Sequence, residues 1–242
     1  MKDKHITQNI NNLTSLWKTA SVPFDSHFKN SVFEYCEVKD SDWPNRLWFN
    51  QPIDQSSIDM AKKKLSTLSS PLTIPYFNIN TKNAYELLEK NDFKLQFEQV
   101  AMFLKLEETF KISSNLTMVH ISNEAQAELW AALYPRAFGY RIPKKIITST
   151  WNDIYYFLAY YQNQPIGTAI TFQTQKTIGI HGVGIIPEMR KRGFASEIMK
   201  HLINIAIGDE SDFMTLQASS MGKNVYLKLG FKEQFLIKNY AL

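Results

Sequence analysis

Short dense runs of branched and aromatic residues alternate along this chain with longer stretches in which apolar and polar positions mix. In the first part the pattern predicts a helix near Ile6–Lys18 and strands near Ser31–Lys39 and Arg46–Asn50. A helix at Gln55–Leu68, a strand at Leu72–Ile79, a helix at Lys82–Lys90 and a strand at Phe93–Leu106 follow. Thr109–Asn115 is polar and without a period, and reads as a linker. The second part opens with a strand at Leu116–Ile121. Ser122 is then the expected N-cap of a helix from Asn123 to Phe138, and Gly139 its stop. Pro143–Thr150 is a loop or short helix. Strands at Tyr155–Tyr161 and Ile166–Gln173 flank a hairpin turn over Gln162–Pro165, and Thr177–Ile186 is a third strand. A helix at Phe194–Ile207, a strand at Phe213–Gln217, a helix at Lys223–Leu229 and a strand at Phe231–Leu242 complete a mixed α/β sheet.

The pattern occurs twice. At an offset of 138 residues, Leu88–Lys94 aligns with Tyr226–Lys232, Phe97 with Phe235, Met102 with Tyr240 and Leu104 with Leu242. Thr73–Asn80 falls on Ser211–Ala218 and Ile58–Leu65 on Ser196–Ile203, so strand, helix, strand, helix and strand recur in one order without gaps. The expected division is therefore a first half at 1–112 and a second at 113–242. The halves differ most where Arg190–Ala195 corresponds to Pro52–Ser57, which has no glycine, no cation, and an acid at Asp54.

Composition narrows the partners. Residues 1–112 carry 14 basic and 14 acidic side chains, and residues 113–242 carry 13 and 9, so the whole excess of +4 lies in the second half. Nucleic-acid binding would call for a denser basic face, which leaves an anionic small molecule as the better reading. Cys36 is the one cysteine, which excludes an intramolecular disulfide and a thiolate metal cluster. Met1–Ile10 is polar with both charge signs, unlike a secretory signal, and no apolar run approaches the roughly 20 residues that span a bilayer. The expected compartment is the cytoplasm, with no membrane partner. Oligomeric state has no signature here.

The stretch from Ile180 to Ala195 (Ile-His-Gly-Val-Gly-Ile-Ile-Pro-Glu-Met-Arg-Lys-Arg-Gly-Phe-Ala) reads as an apolar strand, a basic Arg-x-x-Gly-x-Ala turn and the start of an amphipathic helix. Such a turn aims backbone N–H groups at one point near a helix N-terminus, where partial positive charge also gathers. It suits a polyphosphate. With the strand at Phe213–Gln217 and the stretch Val225–Phe231 (Val-Tyr-Leu-Lys-Leu-Gly-Phe), it resembles the GCN5-related N-acetyltransferase (GNAT) superfamily over about residues 116–242. The first half is similar only to the later portion of that fold. The resemblance thus implies an acyl-CoA N-acyltransferase fold in tandem, a complete second domain preceded by a truncated, degenerate one.

That resemblance implies acetyl-CoA as acetyl donor. Its pantetheine arm would add as a pseudo-strand near Ile185 and Ile186, and its diphosphate would lie on the backbone of Arg190, Lys191, Arg192, Gly193, Phe194 and Ala195. A side chain at Gly193 is expected to obstruct the turn. Gly182 and Gly184, inside a strand, mark a bulge or the close approach of another group. Tyr226 matches the family's late-helix tyrosine, which donates to the departing thiolate; the first copy has Leu88 there. His181, nine residues before Arg190, corresponds to a histidine that relays the amine's proton in arylalkylamine N-acetyltransferases, against the plainer reading of a sheet residue facing a neighbour's carbonyl. Ser219 stands where the family usually has an asparagine on the cofactor, which puts that contact in doubt.

The implied acceptor is a small-molecule primary amine, or a peptide amine. Its groove would draw on Trp130, Tyr134, Phe138, Tyr140, Arg141, Trp151, Tyr155 and Tyr156, some of which must be core, with Arg141 available for a carboxylate. Two alternatives stay open: a Fem-like transferase using aminoacyl-tRNA, which the neutral first half argues against, and a non-catalytic CoA-binding module, which an intact turn and Tyr226 argue against. The five histidines have no metal-ligand spacing, and no Gly-x-Ser-x-Gly occurs.

Overall fold

The computed structural model describes residues 2–79, 84–113 and 115–242, the side chains of residues 2 and 3 excepted. In chain order the elements are α1 (Lys2–Ser21), β1 (His27–Lys29), β2 (Phe33–Cys36), β3 (Arg46–Phe49), α2 (Gln55–Leu65), β4 (Ile74–Asn78), α3 (Tyr85–Lys90), β5 (Lys94–Lys105) and β6 (Leu116–His120). Then come α4 (Glu124–Phe138), α5 (Lys144–Thr150), β7 (Tyr155–Tyr161), β8 (Gln164–Thr174), β9 (Thr177–Ile185), α6 (Phe194–Gly208), β10 (Phe213–Ala218), α7 (Lys223–Lys228) and β11 (Lys232–Ala241).

Among the described residues, eight strands form one sheet in the order β4-β11-β5-β10-β9-β8-β7-β6, and β1-β2-β3 form a smaller one. The small sheet meets the large one where Leu47 donates to Thr73 and Thr73 to Asn45. Within the large sheet β9 and β10 run parallel and the other neighbours antiparallel. The 138-residue offset carries β4 onto β10 and β5 onto β11, so the order β4-β11-β5-β10 reads the same from either end. Gln99 pairs with Ile237, its own image at that offset, which puts a local twofold axis at this pair. Each half thereby lays its last strand beside a strand of the other.

One face of the sheet packs on α1, α4 and α5 through Trp130, Tyr156, Ile170, Phe172 and Phe235. The other packs on α6 and α7 through Ile180, Ile198, Leu202, Met214 and Leu216. A third cluster, with Leu47, Ile58, Ile74 and Leu88, lies under α2 and α3. In α6, Ile198, Leu202 and Ala206 recur every fourth residue with Met199 and Ile203 beside them, which buries one whole stripe. Each large aliphatic there contributes roughly 1.5–3 kcal/mol by leaving water.

Helix α1 departs from this rule, because its buried stripe carries two amides among Leu13, Leu16 and Trp17. Asn9 Nδ2 donates to the Met102 carbonyl (3.1 Å) and to Gln234 Oε1 (2.7 Å). Asn12 Nδ2 donates to the Phe172 carbonyl (2.9 Å) and to Thr174 Oγ1 (3.0 Å). These bonds hold α1 across the sheet from β5 to β8, and Gly179 of β9 lies directly beneath the Asn12 side chain.

Several expected boundaries move. Asn123, not Ser122, caps α4: its side chain accepts from the Gln126 N–H at 3.0 Å, while Ser122 precedes the cap. The hairpin turn is the pair Gln162 and Asn163, both at positive φ, and Gln164 and Pro165 already belong to β8. The strand expected at Ser31–Lys39 covers only Phe33–Cys36, and β1 before it is too short and polar to have shown a period. The start of the helix expected at Lys82–Lys90 lies outside the described residues. Within the expected linker Phe110 is tied down, exchanging two hydrogen bonds with the Asn204 side chain at 2.8 Å each.

A methyl group on Gly179 would overlap the Asn12 carboxamide, so Gly179→Ala is expected to cost on the order of 1–3 kcal/mol. Urea unfolding should show a lower midpoint at unchanged slope, whereas Gly208→Ala, whose new methyl meets nothing within 4 Å, should leave the midpoint nearly in place.

Candidate functional site

The parallel ladder between β9 and β10 runs from Thr177/Phe213 only to Ile180/Leu216. Past that point β9 continues to Ile185 paired with β8 alone, and β10 continues to Ala218 paired with β5 alone. A seam therefore opens between the two strands. Its cause lies in β9: His181 pairs with Ile170 and Gly184 with Thr168, so Gly182 and Val183 together oppose Ala169. This is a bulge, with Gly182 at φ +55°, and a bulge bends its strand and increases the twist. Tyr134 of α4 covers Gly182 and the Phe138 ring covers Gly184. The first glycine thus makes the bulge, and both admit α4.

At the open end of the seam the chain turns through Pro187–Met189 into α6. Arg190 is extended, and Lys191 and Gly193 adopt positive φ of +62° and +84°. No side chain caps α6, and among the described residues no protein group accepts from the N–H groups of residues 191–196. Helix α2, at the matching place in the first half, differs. Asp54 Oδ1 accepts from the Ser57 N–H (2.8 Å) and Ser57 Oγ from the Asp54 N–H (2.9 Å), so that helix carries its own anion. One terminus is filled and the other offers a cluster of donors.

Each side chain of the turn has a distinct place. Arg190 is a strut, its Nε donating to the Ile185 carbonyl (3.0 Å) and its Nη2 to the Ala137 carbonyl (2.9 Å). Ile185 and Ile186 are buried, and Ile186 N–H is held by the Ile166 carbonyl. Arg192 lies over the rings of Tyr161 and Phe194, whose centroids are 4.8 Å apart at a tilt of 50°. These three, with Ser113 and Asn115, line a shallow pocket of about 360 Å³. Lys191 is exposed and Ala195 half-buried. A Cβ on Gly193 would meet nothing within 4 Å, so the glycine is required by its backbone angle and not, as expected, because a side chain would obstruct the protein there.

Tyr226 stands on α7 with its ring 5.9 Å from Phe231, and its edge lies 3.1 Å from where a Cβ on Gly222 would be. It is half-buried, and desolvation pushes its phenol up to about 12. Among the described residues its hydroxyl has no hydrogen-bond partner. Ser219 is exposed and accepts weakly from the Gly222 N–H at 3.3 Å, closing the turn that leads into α7. The strands are parallel, so this turn and the 186–193 turn lie at the same end of the sheet.

His181 lies on the opposite, α1-facing side of the seam, where its Nε2 meets Asn12 Oδ1 at 3.4 Å and its ring contacts the Gln217 side chain. Gln217 in turn donates to Asn9 Oδ1 at 2.8 Å. Desolvation lowers the imidazole to about 4 despite the raising effect of Gln217, so it is neutral near pH 7. Sequence alone did not single out Asn9, Asn12 and Gln217. The available signal was two asparagines on the apolar stripe of a helix, where unpaired amides are costly.

The aromatic residues considered for an acceptor groove now separate. Trp130 and Tyr156 are core, bonded to the Phe157 carbonyl (3.1 Å) and Thr150 Oγ1 (2.8 Å). Trp151 joins the same core at its edge, and Tyr155 lies outside against His120. Tyr134 and Phe138 stack over the bulge, and Tyr140 meets Tyr134 edge-on. Arg141 is exposed, and its backbone N–H donates to Asp42 Oδ2 at 2.7 Å.

Residues 118–231 match the family model described as the acetyltransferase (GNAT) family. A GCN5-related N-acetyltransferase from Kribbella flavida superposes with a TM-score of 0.69 at 13% identity, covering 93% of this chain and 94% of its own. A conserved protein of unknown function from Staphylococcus epidermidis gives 0.66 at 19% identity, over 89% and 92%. A GCN5-related glucosamine N-acetyltransferase region of a fungal multi-domain β-N-acetylglucosaminidase gives 0.62 at 12%, over 87% of this chain and 31% of that one. At these identities the likeness is one of fold. No curated protein matches the chain in sequence. No helix among the described residues is long and apolar enough to cross a membrane.

The lowered His181 pKa has a consequence for stability. The unfolded chain binds a proton near pH 6.5 and the folded one only near 4, so between these values the unfolded state holds more protons and stability falls as pH falls. His181→Gln is expected to flatten the loss of melting temperature between pH 6.5 and 4; an unchanged slope in the variant would contradict the neutral imidazole.

Proposed function

From the premise that residues 118–231 form an acetyltransferase domain of the GNAT family, we propose that this chain transfers the acetyl group of acetyl-CoA to the amine of a small molecule. The observation that carries the reading is the pairing of an open seam in the sheet with six consecutive N–H groups, residues 191–196, that no protein acceptor claims among the described residues. The donor set fits the family's acetyl donor. Unclaimed N–H groups beside Lys191 suit a diphosphate, and a β9 edge free from His181 to Gly184 suits an extended amide chain. When bound, acetyl-CoA supplies a thioester-activated acetyl group.

The residues named above then have separable tasks. The backbone of Arg190, Lys191, Arg192, Gly193, Phe194 and Ala195 holds the diphosphate, and Arg190 keeps the turn in shape by bracing β9 against α4. Ile185 and Ile186 anchor the end of the seam. Tyr226 supplies the proton or hydrogen bond to the leaving sulfur; a phenol near 12 stays protonated over the working pH range and gives its hydrogen bond to a thiolate only as that charge develops. His181 faces the acceptor side. At about 4 its ring is too weak a base to hold a proton at neutral pH, and its task is to accept a hydrogen bond from the amine and orient it. Ser219 makes, at most, a short contact in place of the family's asparagine.

We also read residues 1–112 as a worn copy of the same domain and residues 113–242 as the working one. The twofold strand order and the Asp54 cap, which fills with protein the place left open at α6, support this reading.

Two measurements test the proposal. Acetyl-CoA should raise the melting temperature of the wild type, and Gly193→Val, forced into a positive φ that a branched residue resists, should lose most of that rise. In a thiol-release assay Tyr226→Phe should lower kcat by roughly a hundredfold while leaving KM for acetyl-CoA within a few-fold. Equal kcat in the variant would remove the role given to Tyr226, and absence of any acetyl-CoA stabilisation would remove the reading as a whole.

A further inference from the structure

Arg46 begins β3 in the first half, in register with Cys36 and bridged to Thr73. Strand parity fixes its direction: Leu47 and Phe49 face the core under α2 and α3, so Arg46 and Trp48 face the side occupied by α1, α4 and α5. Its guanidinium makes one hydrogen bond, from Nη1 to the adjacent Asn45 carbonyl (2.8 Å), and among the described residues no carboxylate pairs with it. Its charged and titratable neighbours are the Tyr140 and Tyr134 hydroxyls and the Cys36 thiol. Asp42, whose charge acts on Tyr140, accepts from the Arg141 N–H. Arg46 keeps part of its surface accessible, although burial lowers its pKa. A partly accessible guanidinium in that position lacks a counter-ion among the described residues.

From Arg46, neighbouring side chains lead to the seam through Tyr140 and Tyr134. The Tyr134 and Tyr140 hydroxyls share one hydrogen bond at 2.6 Å, which leaves one O–H proton free to donate. The ring edge next to the Tyr134 hydroxyl covers Gly182, the bulge at which β9 leaves β10. The loop that leads into β3 and the segment after Tyr140 are docked together by the Asp42–Arg141 contacts and by Lys145 Nζ donating to the Lys39 carbonyl (2.8 Å). We propose that Arg46, delivered by the first half of the chain, binds a carboxylate on the acceptor amine beside the Tyr134–Tyr140 hydroxyl pair, so that the acceptor is amino-acid-like. This rests on the acetyl-transfer reading above, and it gives the first half a task in recognition. A guanidinium fork matches a carboxylate in geometry as well as charge.

The test uses matched sets, an amino acid, its carboxamide and its decarboxylated amine, with binding read as a melting-temperature rise in the presence of CoA and transfer read as thiol release. The wild type should favour the acid over its amide by about tenfold or more in both affinity and kcat/KM. Arg46→Met should bring the ratio close to one while acetyl-CoA still raises its melting temperature. Should that variant fail to fold, Arg46→Lys, which keeps the charge and loses the planar fork, should still reduce the ratio several-fold. Equal treatment of acid and amide by the wild type, or an unchanged ratio in the variants, would overturn the proposal even if amines are acetylated. Arg46-dependent binding of acids without any transfer would instead uphold it and remove the acetyl-transfer reading.

Discussion

Strands β9 and β10 share backbone hydrogen bonds as far as Ile180 and Leu216 and then diverge, because one extra residue at Gly182 and Val183 bends β9 away from its parallel neighbour. Interior sheet edges are costly when left unpaired, since each backbone group that leaves water needs a partner. A seam in the middle of an eight-stranded sheet is therefore tolerated only where something else occupies or uses it. The glycines of β9 and the rings of Tyr134 and Phe138 hold one side of it open. Asn9, Asn12 and Gln217 close the polar groups of the other side into a bonded network.

Beside the seam, two helix termini that match in sequence position have opposite chemistry. Helix α2 places the Asp54 carboxylate on its first turn, bonded to the Ser57 N–H, and α6 has no side-chain cap. The macrodipole and the donors are equivalent in the two. What differs is whether the chain supplies the negative charge itself. The twofold strand exchange explains how a half without the open terminus still bears on the site: β5 is the neighbour of β10, α1 crosses the seam, and β3 brings Arg46 to the same face.

Much of this was legible in the sequence, for identifiable reasons. The order of elements and the symmetric pair β5 and β11 follow from apolar runs whose repeat needs no long-range information. The turn before α6 was legible because glycine and cations at fixed spacing constrain a local conformation. The cap of α4 fell one residue off, since Ser122 and Asn123 are equally good caps and only the backbone angle of Asn123 decides. The role of Arg46 and the amide network of α1 were not legible at all. Both depend on contacts across more than ninety residues, such as Asn9 with Met102 or Asp42 with Arg141, which no local pattern encodes.

The central claim is that the seam and the turn together receive one extended, phosphate-bearing ligand, and backbone hydrogen exchange with and without acetyl-CoA tests it most directly. The account predicts that bound acetyl-CoA slows exchange in two separate segments, residues 181–185 along the seam and residues 191–196 at the start of α6, with little change in the first turn of α2. Saturating acetyl-CoA that leaves both segments exchanging at their free rates, or protects the α2 terminus instead, would contradict it.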